Sequence, residues 1–230
     1  MKRRIIPSLT IINNESWITQ NFQKNIYGGD PLNAVRFFSE QDADEICVSL
    51  VDYRSLEEQR KIIEGIVDIT SIPLTLAASF RTIDDPSFFI RLGVDRVALT
   101  ISEKNRYLIL ELIRNFGAQA VVGVIKYDSR EVDFNHIATL QLSSELEISE
   151  NLLIDVGRDG VFNGFNIDYF NKKIAKHLEK PCLIRGGVQK VDEFTKLLNN
   201  DLISGVLSSS YFSTINNGSA FLLNYVKDRV

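Results

Sequence analysis

Pro73-Leu-Thr-Leu-Ala-Ala-Ser-Phe-Arg-Thr-Ile-Asp-Asp, residues 73–85, is echoed by Pro181-Cys-Leu-Ile-Arg-Gly-Gly-Val-Gln-Lys-Val-Asp-Glu, residues 181–193. Each reads as an apolar strand, a short loop and a helix start. The same alternation runs outward from both copies. Apolar, β-rich runs at 4–11, 45–51, 74–77, 96–100, 120–126, 151–156, 182–185 and 205–208 predict strands. They are nearly continuous in apolar residues, as strands covered on both faces are. Amphipathic stretches at 31–41, 56–67, 104–116, 191–198 and 219–227 predict helices between them. In the first, Pro31 follows Asp30, a good N-cap, and Leu32, Val35 and Phe38 share a face. In the second, Ile62, Ile63, Ile66 and Val67 form one stripe. Residues 131–146 should hold the fifth helix, although polar interruptions blur it.

Strict βα alternation implies a parallel sheet with right-handed crossovers. Eight units in 230 residues favour closure into one domain over 1–230, a (β/α)8 TIM barrel, for which ~250 residues is typical. The echoing stretches fall in the third and seventh units, half a barrel apart, which predicts a two-fold half-barrel repeat. The copies differ where Gly186-Gly187 is matched by Ala78-Ser79.

Composition narrows the function classes. A net charge of −4 gives no basic excess for nucleic acid. No apolar run approaches the ~20 residues of a membrane span, and Met1-Lys-Arg-Arg leads into Ile-Ile-Pro without the apolar core of a signal peptide. A cytoplasmic, soluble protein is expected. Cys47 and Cys182 lie inside apolar runs and read as buried thiols, not a disulfide. With only His136 and His177, histidine-based metal or triad chemistry is not expected, and neither is a cofactor.

Active sites in this fold stand at the C-terminal ends of the strands. Those ends carry Thr10, Asp52, Arg81, Lys126, Asp155, Asp159, Arg185 and Ser208-Ser209-Ser210. Gly186-Gly187 after the seventh strand and the serines after the eighth suit a phosphate, because glycine lets backbone N–H groups approach an anion. A tight turn and a helix cap would read the same way. Arg158-Asp159-Gly160, with Gly164 four residues on, forms a second loop that could close over the same anion or be a simple Asp-Gly turn. Lys126 could neutralise a phosphate or act as a base; Asp52 and Asp155 are candidate acids or bases, or partners for Lys126 or Arg185.

Seven pieces then carry a family likeness: Arg4-Ile-Ile-Pro, Gly29-Asp30-Pro31, Ala43-Asp44-Glu45, Gly93-Val-Asp-Arg-Val, Phe116-Gly-Ala-Gln-Ala-Val-Val, Arg158-Asp-Gly with Gly164, and Gly186-Gly187. Over nearly its whole length the chain resembles the cyclase subunit of imidazole glycerol phosphate synthase, the HisF family of histidine biosynthesis. Gly29-Asp30-Pro31-Leu-Asn-Ala-Val is similar to a paralogous branch tied to surface-polysaccharide (lipopolysaccharide) genes. The resemblance implies a barrel docked to a HisH-like glutaminase that releases ammonia at the N-terminal mouth. Ammonia crosses the barrel, and the cyclase, a lyase, closes an imidazole ring with two aspartates at the ends of the first and fifth strands.

Those two positions match Thr10 and Lys126 here. The family's mobile loop lysine falls on Ile18, and its first phosphate cradle on Ala77-Ala78-Ser79 and Thr100-Ile101. Threonine is no acid or base at neutral pH and lysine inverts the charge. Each such group supplies ~10²–10⁴-fold in rate, so the ancestral cyclisation should nearly vanish. The second phosphate cradle matches Gly160, Gly186, Gly187, Ser209 and Ser210, and Arg4, Glu45, Arg96 and Glu150 match a charged gate at the ammonia entrance, with Asp95 at the partner-facing rim. The expected role is an accessory ammonia conduit and glutaminase partner for amidation of surface sugars. The alternatives are altered chemistry on a mono-phosphorylated small molecule, using Lys126, Asp52 or Asp155, and the family's own reaction.

Overall fold

Arg4–Ile12 forms the first strand, β1, seven of whose nine residues are buried. In the computed structural model, which describes residues 3–20, 24–41, 43–51, 56–131 and 135–213, ten strands follow one another in a single sheet. Eight are parallel: β1, β4 (Ile46–Leu50), β5 (Leu74–Ala77), β6 (Arg96–Thr100), β7 (Val121–Tyr127), β8 (Glu150–Asp155), β9 (Cys182–Arg185) and β10 (Ile203–Ser208). Parallel pairing of β10 with β1, Arg4 opposite Gly205, closes the ring. The chain folds as a (β/α)8 TIM barrel. Its expected strands recur with ends displaced by a residue or two, and β5 and β9, which hold the echoing stretches, stand four strands apart around the ring.

Two antiparallel strands that the sequence reading did not anticipate, β2 (Glu15–Gln20) and β3 (Lys24–Gly29), extend the sheet from the upper end of β1. Their signal was local. Ile12 pairs with Glu15 across Asn13 and Asn14, whose φ of 54° and 63° make the two-residue turn that favours asparagine.

Around the barrel lie α1 (Pro31–Glu40), α2 (Leu56–Ile69), α3 (Asp84–Leu92), α4 (Arg106–Phe116), α5 (Asn135–Glu145), α6 (Ile167–Tyr169), α7 (Val191–Leu198) and α8 (Ser210–Ser213). Asp30 caps α1 by accepting from the Asn33 amide at 2.9 Å. The blurred stretch at 131–146 does contain α5. A 3-10 turn at Glu103–Asn105 precedes α4, so that helix begins later than the periodicity suggests. After α6 the backbone widens over Phe170–Ile174, which the sequence pattern gave no sign of. The helix expected at 219–227 lies outside the described residues. Among those residues no helix is long and apolar enough to cross a membrane.

Two apolar layers result. Ile5, Leu9, Val48, Leu76, Val97, Ile125, Leu153, Ile184 and Val206 pack outward against Val35, Ile63, Phe89, Leu112 and Phe194 of the helices. Ile6, Cys47, Ala98, Val122, Val124, Leu152, Ile154, Leu183 and Leu207 fill the bore instead. Alternation along a strand puts every second residue on one face, so the charged residues that continue the inner series must also enter the bore.

Candidate functional site

That series sets the lower mouth. Arg4 precedes Ile6 by two residues on β1, Arg96 precedes Ala98 on β6, and Glu150 precedes Leu152 on β8. Glu45, beside β4, completes the set and is 2% exposed. The four form a closed ring. Arg4 donates to Glu45 at 3.2 Å and to Glu150; Arg96 donates to Glu150 at 2.5 Å and to Glu45. Two hydroxyls brace it: Thr75 donates to Glu45 at 2.7 Å and accepts from Arg96 at 3.1 Å, and Ser204 donates to Glu150 at 2.8 Å. Burial alone would raise the Glu150 carboxyl, but Arg4 and Arg96 hold it below the ordinary range. Likewise burial opposes the charge on Arg96, and Glu45 and Glu150 outweigh it, keeping that guanidinium firmly protonated. Thr75 and Ser204 were not singled out in the sequence; small hydroxyls in apolar strands carry no signal of their own.

Around this mouth the exposed Asp95 accepts from the Leu74 amide at 2.8 Å, and Asp44 accepts from the Ile5 amide at 3.0 Å. Both carboxylates tie off strand starts at the lower rim. A cavity of about 110 Å³ opens beside the ring, lined by Arg3, Pro181, Asp201, Ile203 and Ser204. Ser204 therefore touches both the cavity and the ring.

The upper mouth is built differently. Lys126, Ile154 and Arg185 are register partners across β7, β8 and β9, so all three share the inner face of the wall. Lys126 is exposed, whereas Arg185 is 4% exposed. The Arg185 guanidinium holds Asp159 through two hydrogen bonds, from Nε at 3.1 Å and Nη2 at 2.9 Å, and its Nη1 reaches Ser8 on β1 at 3.1 Å. Burial opposes its charge and Asp159 more than restores it. Thr10 is 2% exposed, in register with Ser49 of β4.

Asp155 does not join this group. It pairs in register with the outward-packed Tyr127, is fully buried, and accepts from the Ser129 amide at 3.2 Å. Burial raises its carboxyl above the ordinary range, and Arg158 stands 3.8 Å away. The partner of Arg185 is thus Asp159, not Asp155. Asp52 lies outside the described residues. Ile18, at the family's loop-lysine position, is a buried residue of β2.

The glycines of the candidate phosphate cradle meet neighbouring backbone. Gly160 has φ 74°, and a Cβ there would collide with the Thr19 carbonyl of β2. Gly187 has φ 85°, and a Cβ there would strike the Gly164 carbonyl; Gly164 in turn donates its amide to the Gly187 carbonyl at 3.0 Å. Arg158 clamps this junction by donating to the Gly164 carbonyl at 2.9 Å and to Ser129 at 3.0 Å. The packing of three upper loops against one another therefore accounts for these glycines whether or not an anion binds. Beyond them, Ser208 accepts from the Tyr211 amide at 3.4 Å as α8 begins, Ser210 is 8% exposed and Ser209 is half-buried. Among the described residues no cluster of histidine, cysteine and carboxylates is arranged to hold a metal ion.

Residues 4–215 match the family described as histidine biosynthesis protein. A Vibrio vulnificus protein named by likeness as imidazole glycerol phosphate synthase subunit hisF3 is 28% identical over 98% of this chain and 93% of its own length. A Pseudomonas aeruginosa protein named in the same way as subunit hisF2 is 25% identical over 98% and 96%. The imidazole glycerol phosphate synthase subunit HisF of Streptococcus mutans is 26% identical over 92% and 91%.

Proposed function

We propose a function from one premise: this chain belongs to the histidine biosynthesis protein family, among its HisF-like barrels. On our reading it is an accessory barrel that binds a glutaminase subunit at its lower mouth and passes on the ammonia released there. The single observation that carries this is the closed ring of Arg4, Glu45, Arg96 and Glu150 set against Thr10 and Lys126 at the other end. Charges drawn even partly out of water are costly to maintain, and four of them, Glu45 buried and the other three partly so, braced by two hydroxyls, argue for use at that surface. The lower mouth offers a partner a polar, self-neutralised rim with Asp95 exposed beside it.

At the two family acid positions the upper mouth carries Thr10 and Lys126, not the carboxylate pair that would exchange protons during ring closure. Thr10 has no accessible pKa, and Lys126 brings positive charge where the family's chemistry uses a carboxylate. We therefore place the chemistry that consumes ammonia in another protein, an amidotransferase acting on surface sugars. The stretch Gly29-Asp30-Pro31-Leu-Asn-Ala-Val supports that destination. One phosphate subsite at Gly160, Gly186, Gly187, Ser209 and Ser210 belongs to this reading as the place where a phosphorylated ligand docks.

Two assays test it together. The chain should co-purify with a glutaminase subunit from the same cell. Supplied with ammonia directly, it should give no detectable ring closure of the ribulosyl substrate of the HisF reaction. Failure to co-purify would remove the partner; turnover at the rate of HisF would restore the family's own reaction as the function.

A further inference from the structure

The bore between the two mouths is apolar and contains one cysteine. Cys47, 1% exposed, lies among Ile6, Ala98, Val122, Leu152 and Leu183, in register with Ser8 of β1. Burial pushes its thiol up to about 11, and its neighbours include Arg185 and Ser8. The other cysteine, Cys182, is also buried but belongs to the outer layer, against the helices.

Arg185 starts on β9 and ends at Ser8 on β1, with β10 between them in the ring. A side chain that spans a strand in this way leaves the wall and projects over part of the bore. The guanidinium is locked there by Asp159, and both side chains are buried, 4% and 9% exposed. We propose that Arg185 and Asp159 form an inner gate, a second closure of the bore above the lower ring. The lower ring draws all its charges from strand starts of the barrel wall. The inner gate instead takes one half from β9 and the other from the loop after β8.

That loop gives the gate its control. Asp159 is followed by Gly160, which lies directly beneath Thr19 and Gln20 of β2, and Gly164 of the same loop is bonded to Gly187. Moving the loop carries Asp159 away from Arg185, and the freed guanidinium can then swing towards the upper mouth. Opening is in this way tied to whatever docks on β2 or on the loop. The part this gate plays in ammonia passage rests on the conduit reading above; the gate itself does not, and its test needs no glutaminase.

Cys47 is the built-in reporter. The intact chain would be treated with methyl methanethiosulfonate at mildly alkaline pH, and the modification of each cysteine followed by peptide mass. The double variant R185S/D159S removes both charges, so no buried charge is stranded. Its Cys47 should be modified roughly tenfold faster than in the parent, the response to an easier local opening, while Cys182 stays unmodified. D159N, which keeps the guanidinium but loosens its hold, should fall between the two. Unchanged Cys47 rates in both variants would overturn the gate. So would Cys47 and Cys182 reacting together, because the pair would then be holding the fold and not the bore.

Discussion

At the lower mouth each of two guanidiniums touches both of two carboxylates, while at the upper mouth one guanidinium holds one carboxylate. The lower charges are all anchored at strand starts, where the barrel wall fixes their backbone. The upper pair joins a strand end to a loop. A closed ring on a rigid frame cannot release one contact without weakening the others; a single pair on a loop can. The two ends of one bore thus differ in how their charges are anchored, and this difference is the basis for assigning partner docking to one and opening to the other.

The comparison can be broken most forcefully at Glu45. Glu45→Ala leaves Arg4 and Arg96 facing each other with half their acceptors gone, and Thr75 without its acceptor. It should cost about 3–5 kcal/mol in denaturant unfolding, the usual result of stranding buried charge. Asp159→Ala strands one guanidinium and not two, the buried Arg185, which keeps its bond to Ser8. About 3 kcal/mol, the low end of that range, is expected there by the same measurement. Equal losses at the two sites would contradict the contrast between ring and pair.

Smaller changes sharpen it. Arg96→Lys keeps the charge but replaces a planar fork that spans two carboxylates with a point donor, and should cost about 1 kcal/mol. The pH dependence is subtler still. Glu150 has its folded value depressed, so its contribution is complete above about 4.5, the ordinary glutamate value, and is lost as pH falls through the folded value. Unfolding followed from neutral pH downwards should therefore show the parent losing stability below that point more steeply than Glu150→Gln. Parallel curves would mean that the ring is not what holds this carboxylate.

Much of this architecture was legible in the sequence because barrel strands announce themselves: runs such as 96–100 and 182–185 are apolar apart from their ends, and their order follows from strict alternation. The four lower charges were legible too, since each begins such a run. The hairpin of β2 and β3 was not, because Ser16-Trp-Ile-Thr has too short an alternating pattern to stand out without the Asn13-Asn14 turn. The Arg185–Asp159 pair was hidden for another reason. One stands at a strand end and the other in a loop, 26 residues apart, and only the fold brings the loop after β8 over the end of β9. Asp155 misled for the complementary reason: alternation places it outward, one residue beyond the inward Ile154.

The proposed role depends on the lower mouth being kept for a glutaminase. The most direct measurement is the rate of glutamine hydrolysis by the glutaminase subunit of the same cell as this chain is titrated into it. A saturable rise in rate is the predicted result; a rate that stays flat at every concentration would contradict the account.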